Sequence, residues 1–374
     1  MRILSVFGTR PEAIKMAPVV LALRAKAGVD CRVCVTGQHR DMVDPVLDFF
    51  AIEPDADLAV MKADQDLTDV TGAVLLGLRR VLAEIQPDRV LVHGDTTTTF
   101  AAALAAFYAR IPVGHVEAGL RSGNILAPWP EEMNRRLADG LSDLLFAPTE
   151  SAAAHLRDEG VKNKNIRVTG NTVIDALFHV RDRLASDGQL RAALEQRFAA
   201  ETGAKRLILV TGHRRESFGG GFERIAEALA RLAQRPDVAI VYPLHPNPNV
   251  AGPMRRLLGT LPRVHLIDPV DYVAFVFLMQ RADIVLTDSG GIQEEAPSLG
   301  KPVLVMRDVT ERPEAVTAGT VRLVGTDATR IVGETERLLD DAEAYKEMSR
   351  AHNPYGDGQA SRRIVEELVR EHGL

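Results

Sequence analysis

Apolar and polar positions along the chain follow two alternating patterns. Short apolar runs rich in β-branched residues alternate with longer stretches of helical periodicity, which is typical of parallel sheets covered on both faces. A first series predicts strands at 3–7, 32–36, 89–93, 113–117 and 144–147, with helices at 13–27, 69–85 and 97–108. A second series predicts strands at 207–211, 239–243, 264–266, 284–287 and 303–305, with helices at 222–233, 272–280 and 292–298. The pattern therefore predicts an α/β protein with two doubly wound, Rossmann-like domains.

The two series divide near residue 170. A helix predicted at 171–185 connects them, so the expected domains are 1–170 and 171–358. The last segment, 359–374, carries apolar residues on one helix face, and we expect this helix to pack back on the first domain. In open α/β sheets ligands bind outside the carboxyl ends of the strands, so two such domains predict a ligand in a central cleft.

Composition narrows the classes of function. The chain of 374 residues has a net charge of −6, which disfavours nonspecific binding of nucleic acid, because that needs a positive surface. The apolar runs are far shorter than the ~20 residues that span a bilayer, and the N-terminal segment predicts a strand rather than a secretory signal. We therefore expect a cytoplasmic protein that binds neither nucleic acid nor membrane.

The sequence gives little support for a metal or a redox cofactor. Cys31 and Cys34 lie on a predicted strand, where positions i and i+3 point to opposite faces, so they predict neither a disulfide nor a shared metal. The spacings typical of zinc sites, of the Walker loop and of the dinucleotide-binding fingerprint do not occur. We therefore expect no metal and no nicotinamide.

The loop after the first predicted strand, residues 8–12 (Gly-Thr-Arg-Pro-Glu), is a candidate anion site. Its proline suits the start of a helix, whose free N–H groups attract negative charge. Arg10 lies in the loop, and Lys15 follows about one turn into the helix. A simple strand–turn–helix with solvated cations explains the same residues.

Three acidic residues are candidates for acid–base chemistry. Asp95 and Glu117 come at the ends of neighbouring predicted strands, and Glu131 follows two prolines. Each has a structural alternative. Asp95 could cap the next helix, and Glu117 could form a salt bridge with Arg121. Glu131 could interact favourably with the positive end of the helix dipole.

The second domain offers two candidate segments. His213 follows a predicted strand and can change protonation near neutral pH. Residues 289–291 (Ser-Gly-Gly) join a strand to a helix, where the absent side chains let a diphosphate approach backbone N–H groups. Glu295 could accept hydrogen bonds from a ribose diol, and Arg312 could contact a phosphate. A turn histidine and a plain capped turn are the alternatives.

Taken together and in chain order, these segments resemble the non-hydrolysing bacterial UDP-N-acetylglucosamine 2-epimerases. The resemblance rests on 8–12, 93–95, 115–119, 130–132, 212–216, 288–295 and 353–358, and it covers nearly the whole chain. It implies a fold like that of two-domain GT-B glycosyltransferases, a homodimer, no redox cofactor, and interconversion of UDP-N-acetylglucosamine and UDP-N-acetylmannosamine for surface polysaccharides.

The resemblance also implies roles for individual residues. Catalytic positions fall on Asp95, Glu117, Glu131 and His213. Nucleotide or phosphate contacts fall on Arg10, Lys15, Ser289, Gly290, Gly291, Glu295 and Arg312. Some family members are activated by their own substrate at a second site, whose region Gln38 and His39 match, although Asp41 and Asp64 depart from the pattern of activated members.

The reaction explains why acids and a diphosphate site belong together. The hydrogen on carbon 2 is not acidic, but a base can remove it while UDP leaves carbon 1, and UDP can add again after protonation from the opposite face. The sequence does not say which acid is the base. A UDP-sugar glycosyltransferase, a hydrolysing epimerase and a noncatalytic UDP-sugar sensor are the competing interpretations.

Overall fold

The structure is a computed structural model, and it describes residues 1–38, 40–62, 64–203 and 205–373. The chain forms two compact units. The first consists of Met1–Ala176 and the C-terminal segment from Tyr355 onward, and the second is Leu177–Pro354. Within the described ranges, no helix combines the length and the apolar character needed to cross a membrane.

The strands and helices of the described residues alternate along the chain. The strands are β1 (Arg2–Phe7), β2 (Asp30–Val35), β3 (Ala56–Asp57), β4 (Arg89–His93), β5 (Val113–Val116), β6 (Leu144–Ala147), β7 (Ile166–Val168), β8 (Arg206–Thr211), β9 (Val238–Pro243), β10 (Val264–Ile267), β11 (Ile284–Thr287), β12 (Val303–Val305) and β13 (Val321–Leu323). The helices are α1 (Arg10–Ala25), α2 (Arg40–Phe49), α3 (Leu67–Ile85), α4 (Thr97–Tyr108), α5 (Glu131–Leu141), α6 (Glu150–Asp158), α7 (Thr172–Ser186), α8 (Gly188–Arg197), α9 (Ala199–Thr202), α10 (Gly220–Leu232), α11 (Pro248–Leu258), α12 (Tyr272–Arg281), α13 (Gly290–Glu295), α14 (Pro313–Thr317), α15 (Ala328–Asp340), α16 (Ala342–Ser349) and α17 (Ala360–His372).

The first unit is built on a parallel sheet in the order β3-β2-β1-β4-β5-β6-β7. Side chains on both faces of its central strands are buried, among them Leu4 and Leu91, as expected for a sheet covered by helices on both sides. The strand order reverses between β1 and β4, which is the switch point where this class of sheet binds ligands. The loops after β1, β4 and β5 all leave the sheet at the carboxyl ends of its parallel strands, on the same side as the switch point.

The C-terminal helix α17 belongs to the first unit, where it packs against α1. Its buried apolar face carries Ile364, Val365, Leu368 and Val369. The carboxylate of Asp175 accepts hydrogen bonds from the N–H groups of Ala360 (3.2 Å) and Ser361 (2.7 Å), which are orphan donors of the first turn of this helix.

The second unit is built on a parallel sheet in the order β10-β9-β8-β11-β12-β13. Its order reverses between β8 and β11, so the loops after these two strands diverge from one point. Phe222 on α10 and Tyr242 on β9 are fully buried in its core. Both sheets confirm the predicted α/β class.

Most predicted elements differ from the structure by one to three residues at their ends, and two of these differences have a clear local reason. The strand predicted at 113–117 ends at Val116, because Glu117 adopts φ +66°, outside the extended region. The helix predicted at 292–298 begins earlier, at Gly290, and becomes a 3-10 helix from Ala296. Pro297 has no N–H for an α-helical hydrogen bond, and Gly300 then ends the turn at φ +68°.

Candidate active site

A buried carboxylate organises the loop after β1. Glu12 accepts hydrogen bonds from the N–H groups of Gly8 (2.9 Å) and Thr9 (2.7 Å), and from the hydroxyls of Thr96 and Thr99 beyond β4. Burial raises the pKa of Glu12, although these donors lower it in part. The sequence analysis gave this residue no role, but it joins the loops after β1 and β4, two of the three loops at the switch point.

Arg10 and Lys15, the two predicted anion contacts, lie in different environments. Arg10 is the first residue of α1 and is exposed. Lys15 lies on the same helix with a side chain that is only 14% exposed, and its Nζ contacts the Oε2 atom of Glu117 at 2.5 Å. Lys15 therefore compensates the charge of a candidate catalytic acid.

Glu117 directly follows β5, and two donors contact one oxygen of its carboxylate. Oε2 accepts hydrogen bonds from Lys15 and from the side-chain amide of Asn171 (2.9 Å). The suggested pairing with Arg121 is wrong, because that guanidinium pairs with Asp139 and Glu159 instead. Donors and a nearby cation favour the charged form of a carboxylate.

A buried histidine lies beside this carboxylate. The Nε2 atom of His93, at the end of β4, is 3.8 Å from Oε2 of Glu117. Burial lowers the pKa of His93 to about 3, although the charge of Glu117 opposes this. Neither ring nitrogen has a hydrogen-bond partner among the described residues. His93 is therefore neutral at pH 7, and the sequence analysis did not assign it a role.

Asp95 follows β4 and forms an ion pair with a residue of α5. Its Oδ2 atom accepts a hydrogen bond from Arg135, and its carbonyl accepts one from the side chain of Asn134 (3.0 Å). The helix cap suggested for Asp95 is wrong, because Thr96 is the N-cap of α4 and accepts the N–H of Thr99. The Asp95 carboxylate is thus held in place by Arg135, with a side chain that is 29% exposed.

The loop that carries Asp95 is supported from inside the unit. Buried His115 contacts the carbonyl oxygen of Gly94 through Nε2 (2.7 Å) and the carboxylate of Asp139 through Nδ1 (2.7 Å). A carbonyl can only accept, so Nε2 carries a hydrogen and fixes the Gly94 carbonyl. Arg121 contacts the other oxygen of Asp139 (2.7 Å). Burial raises the pKa of Asp139, but the charges of His115 and Arg121 outweigh it and hold this pKa below its usual value.

The two adjacent acids at the start of α5 have separate surroundings. Glu132 is fully buried and accepts hydrogen bonds from the Ser122 N–H (3.0 Å), Arg135 and Arg136. Glu131 is the first residue of α5 and is partly exposed. Glu132 is therefore structural, whereas Glu131 is the one of the pair available to a substrate.

In the second unit, a buried aspartate holds the backbone of His213. Oδ2 of Asp288, which follows β11, accepts the backbone N–H groups of His213 (2.7 Å) and Arg214 (2.8 Å). Its Oδ1 atom lies 3.3 Å from Nδ1 of the His213 ring. Burial lowers the pKa of His213, and the charge of Asp288 only partly restores it. The imidazole is thus neutral at pH 7 in the free protein, with Nδ1 on the side of Asp288.

Arginines cluster in the loops after β8 and β12, and three of them, Arg214, Arg307 and Arg312, pair with acidic residues. Arg214 pairs with Glu311 (2.9 Å), and Arg307 pairs with Glu311 (2.6 Å) and Glu216 (2.5 Å). These guanidinium groups hold the pKa of Glu311 at about 2, against the effect of burial. Arg312 pairs separately, with buried Glu294 (2.5 Å). Of these arginines, the sequence analysis assigned only Arg312 a role.

The predicted glycine segment lies against these arginines. A Cβ added at Gly290 would lie 3.2 Å from Glu311 and 3.8 Å from the guanidinium groups of Arg214 and Arg312. Ser289 precedes α13 as its N-cap residue, and Gly291 follows within the helix. The absence of a side chain at Gly290 therefore leaves the helix start next to two cations.

Glu295 ends α13 rather than lying one turn inside a longer helix. Its Oε1 atom accepts a hydrogen bond from the hydroxyl of Tyr272 on α12 (2.6 Å), and the residue is buried. A Cβ at Gly291 would be 3.9 Å from the other oxygen, Oε2. Tyr272, which the sequence analysis missed, thus orients one carboxylate oxygen and turns the other towards the glycine segment.

The predicted second-site residues are only partly described. The Oε1 atom of Gln38 accepts a hydrogen bond from the hydroxyl of Thr98 at the start of α4 (3.2 Å). His39 lies outside the described residues. The activating role of these two residues stays a prediction.

The two units offer different chemistry. In the first, Glu117 and Asp95 are carboxylates paired with Lys15 and Arg135, and carboxyl groups placed in this way suit proton transfer. In the second, a neutral histidine, three arginines and a glycine-rich helix start suit a phosphate group. Among the described residues, no group of three His, Cys, Asp or Glu side chains is placed to hold a metal ion.

Comparison with known proteins gives consistent matches over nearly the full chain. The family model described as UDP-N-acetylglucosamine 2-epimerase matches residues 21–369. The chain is 60% identical over 369 residues to the UDP-N-acetylglucosamine 2-epimerase of Yersinia pestis, with 98% of each protein covered. It is 60% identical over 369 residues to the protein of the same name from Escherichia coli strain K12, again with 98% of each covered.

Solved structures give the same result. The crystal structure of UDP-GlcNAc 2-epimerase from Neisseria meningitidis, bound to UDP-GlcNAc, matches with a TM-score of 0.91 and 51% identity, covering 99% of this chain and 100% of that one. The structure from Methanocaldococcus jannaschii in complex with UDP-GlcNAc and UDP matches with a TM-score of 0.83 and 33% identity, covering 99% and 100%.

Proposed function

The chain belongs to the UDP-N-acetylglucosamine 2-epimerase family, and from this premise we propose that it acts on UDP-N-acetylglucosamine by expelling UDP and adding it back. It is an isomerase that inverts carbon 2 of the sugar, and the product is UDP-N-acetylmannosamine. The observation that carries the proposed mechanism is the pair of cation-held carboxylates, Glu117 and Asp95, at the ends of the neighbouring strands β5 and β4.

The first half of the reaction breaks two bonds. A carboxylate takes the hydrogen of carbon 2 as a proton, the electrons of that C–H bond form a double bond to carbon 1, and the C–O bond to the diphosphate breaks with its electrons leaving on UDP. In the second half, the diphosphate oxygen adds to carbon 1 and carbon 2 takes a proton from the opposite face. One proton and one UDP leave the sugar and one of each returns, so the overall reaction changes no oxidation state and needs no redox partner.

We assign the proton transfers to the acids of the first unit. An ionised carboxylate removes the proton on one face, and a protonated acid must supply one on the other. Asp95 and Glu117 carry these two steps, with Glu131 assisting. The assignment of each acid to a face of the sugar is left open.

We assign UDP to the second unit. Arg312 and the N–H groups of the segment 289–291 contact the diphosphate, and Glu295 accepts the ribose hydroxyls through the oxygen that Tyr272 leaves turned towards Gly291. His213, neutral when the site is empty, becomes a better hydrogen-bond donor beside a phosphate, because a nearby negative charge raises the pKa of an imidazole. Arg10 is an exposed cation of the first unit that adds a further phosphate contact.

Product analysis distinguishes this function from its rivals. Purified protein incubated with UDP-N-acetylglucosamine, followed by proton NMR, should yield a mixture containing UDP-N-acetylmannosamine. A hydrolysing epimerase would release UDP and free N-acetylmannosamine, and a glycosyltransferase would release UDP only with an acceptor. A sensor would leave the sugar unchanged, and that result would exclude the proposed function.

We also propose that the protein is a homodimer. Leu76 on α3 and Phe107 and Tyr108 on α4 are 61%, 58% and 69% exposed, and the two helices pack together. Exposed apolar side chains of this size support a protein–protein contact. Sedimentation velocity should give twice the chain mass of 40.8 kDa, and Phe107→Asp should shift the protein towards the monomer.

The cellular setting is also a proposal. The substrate is a nucleotide sugar and both cysteines are free thiols, which supports a reducing compartment and hence the cytoplasm. The mannose-configured product would supply precursors for surface polysaccharides.

A further inference from the structure

Asn171 is a buried polar residue whose side chain reaches a candidate catalytic acid. It is 2% exposed and lies directly before α7. Its Nδ2 atom donates a hydrogen bond to Oε2 of Glu117 (2.9 Å), 54 residues away in the sequence. No motif in the sequence analysis pointed to this contact.

The orientation of the Asn171 amide follows from its neighbours. Its Oδ1 atom accepts the backbone N–H of Val173 (3.0 Å), which makes Asn171 the cap of α7. Because the N–H can only donate and the Glu117 carboxylate in its ionised form can only accept, the oxygen and nitrogen of the amide cannot be exchanged. The side chain therefore has one orientation that satisfies both contacts.

The backbone of Asn171 is held as firmly as its side chain. Its N–H donates to the carbonyl of Tyr355 (2.7 Å), at the point where the chain returns to the first unit. Gly170 and Gly356 adopt φ +91° and +137°, backbone conformations that side-chain-bearing residues rarely adopt, and so permit the turns on either side of this contact. Because both the backbone and the side chain of Asn171 are held by hydrogen bonds, its amide can fix the position of the carboxylate that it contacts.

The backbone conformation of Glu117 is unfavourable for this residue type, so contacts from its neighbours must hold it in place. It follows the end of β5 with a backbone in the left-handed region, which a glutamate adopts only when its surroundings impose it. The titratable groups that face its carboxylate include Lys15 from α1 and His93 from β4. Asn171 adds an uncharged donor to the oxygen that contacts Lys15, while Oε1 lies on the side of Gly94 and the Asp95 loop, 3.9 Å from a Cβ at Gly94.

We propose that Asn171 is a positioning residue, which holds Oε2 of Glu117 and thereby fixes the orientation of this carboxylate towards the reacting sugar. This inference rests on the proposed function, because it concerns the proton transfer assigned to Glu117. It predicts an effect on the chemical step and not on nucleotide binding, because the side chain that Asn171 contacts, Glu117, is assigned to proton transfer.

Two substitutions separate this role from that of a helix cap. Serine and aspartate both cap helices well, so Asn171→Ser should keep a melting temperature close to that of the native protein. Asn171→Asp keeps the cap but should lower the melting temperature at neutral pH, because it buries a second carboxylate against Glu117. Asn171→Ser loses the donor and should lower kcat roughly 10- to 100-fold, the range for a hydrogen bond to a charged group. Asn171→Asp places a second carboxylate against Glu117 and should lower kcat further.

The pH profile gives the readout that a purely structural role would not move. Two neighbouring carboxylates raise the pKa of the pair, so the acidic limb of kcat/KM in Asn171→Asp should shift to higher pH by roughly one unit or more. The KM for UDP-N-acetylglucosamine and the Kd for UDP should stay within roughly twofold of native, because only proton transfer is disturbed. Asn163→Asp, an exposed position in the same unit, is the matched control and should change none of these quantities.

Three results would overturn the inference: native kcat and pH profile in both variants, a loss confined to KM, or a loss of kcat that only follows a loss of melting temperature. Failure of the proposed function is a separate outcome, because the native protein would then form no mannose-configured product.

Discussion

The two units contain the same kind of ion pair and use it in opposite ways. In the first unit, cations hold acids: Lys15 contacts Glu117, and Arg135 contacts Asp95. In the second unit, acids hold cations, as Glu311 does for Arg214 and Arg307. A cation keeps a carboxylate ionised and thus able to take a proton, whereas an acid keeps a guanidinium oriented for an anion that arrives later.

This difference separates chemistry from binding. Removing an acid in the first unit should affect turnover, because the acid itself takes part in proton transfer. Altering a cation in the second unit should affect affinity, because the cation contacts a group that does not change charge at carbon 2. The following substitutions test this division in order of decreasing effect.

The largest effect is expected for Glu117→Gln. The amide cannot take a proton, so kcat should fall roughly 100- to 10,000-fold, the range of general acid–base catalysis. Isothermal titration calorimetry should show UDP binding with native affinity. Glu150→Gln, an exposed acid of the same unit, should keep native turnover. Turnover of Glu117→Gln within threefold of native would remove this acid from the mechanism.

The next effect concerns the support of the Asp95 loop. Asp139→Asn leaves His115 and Arg121 buried without their shared counter-charge, which should lower the free energy of unfolding by about 3–5 kcal/mol. Urea denaturation measures this change. Asp44→Asn, which breaks an exposed pair with Arg40 in the same unit, should cost about 0–1 kcal/mol.

The pH dependence of this effect has a definite sign. The folded-state pKa of Asp139 lies below its usual value, so its stabilisation is complete above the unfolded pKa of about 3.9. It is lost as pH falls through the folded-state value. The difference in stability between native protein and Asp139→Asn should therefore be constant near neutral pH and shrink below about pH 4. A difference that grows in acid would contradict the assigned charge state.

In the second unit, Arg312→Lys keeps the charge beside Glu294 but loses the planar fork that binds phosphate through two hydrogen bonds. The Kd for UDP should rise roughly 10-fold or more, since hydrogen bonds to charged groups contribute about 1.5–3 kcal/mol. At saturating substrate, kcat should change far less. Arg322 on β13 forms a partly exposed ion pair with Glu334 on α15. Arg322→Lys is therefore the matched control and should bind UDP normally. A loss of kcat at unchanged Kd would contradict the assignment of proton transfer to the first unit and of UDP binding to the second.

The smallest effect is expected for Tyr272→Phe. It removes the hydroxyl that orients Glu295, and a hydrogen bond of about 1 kcal/mol corresponds to a roughly fivefold rise in the Kd for UDP. Tyr345→Phe removes a hydroxyl that donates to the backbone carbonyl of Asp283 and should leave the Kd unchanged. Equal effects of the two variants would show that Tyr272 does not act through Glu295.

The sequence predicted the central strands well and the sheet edges poorly. Strands β4, β6, β11 and β12 begin and end where predicted, because continuous apolar runs bounded by turn residues mark strands buried on both faces. The edge strands β3 and β13 are two and three residues long, and β13 contains Arg322, so neither forms an apolar run. Short edge strands are specified by their neighbour in the sheet, which periodicity does not reveal.

The candidate site was predictable in its positions but not in its partners. Strand ends placed Asp95, Glu117 and His213 at loops where this fold class binds ligands, and these residues do follow β4, β5 and β8. Their partners come from distant segments: Arg135 is 40 residues from Asp95, and Asp288 is 75 residues from His213. Such pairs depend on how helices pack on the sheet, and no local pattern encodes them.

Turnover in deuterium oxide tests the central claim most directly. The native protein, incubated with UDP-N-acetylglucosamine, should yield UDP-N-acetylmannosamine with deuterium on carbon 2, as read by NMR, because the proton returned there comes from an acid that exchanges with solvent. Glu117→Gln should lose this exchange together with turnover, whereas Arg312→Lys at saturating substrate should retain it. A mannose-configured product that still carries its original hydrogen on carbon 2 would contradict the account.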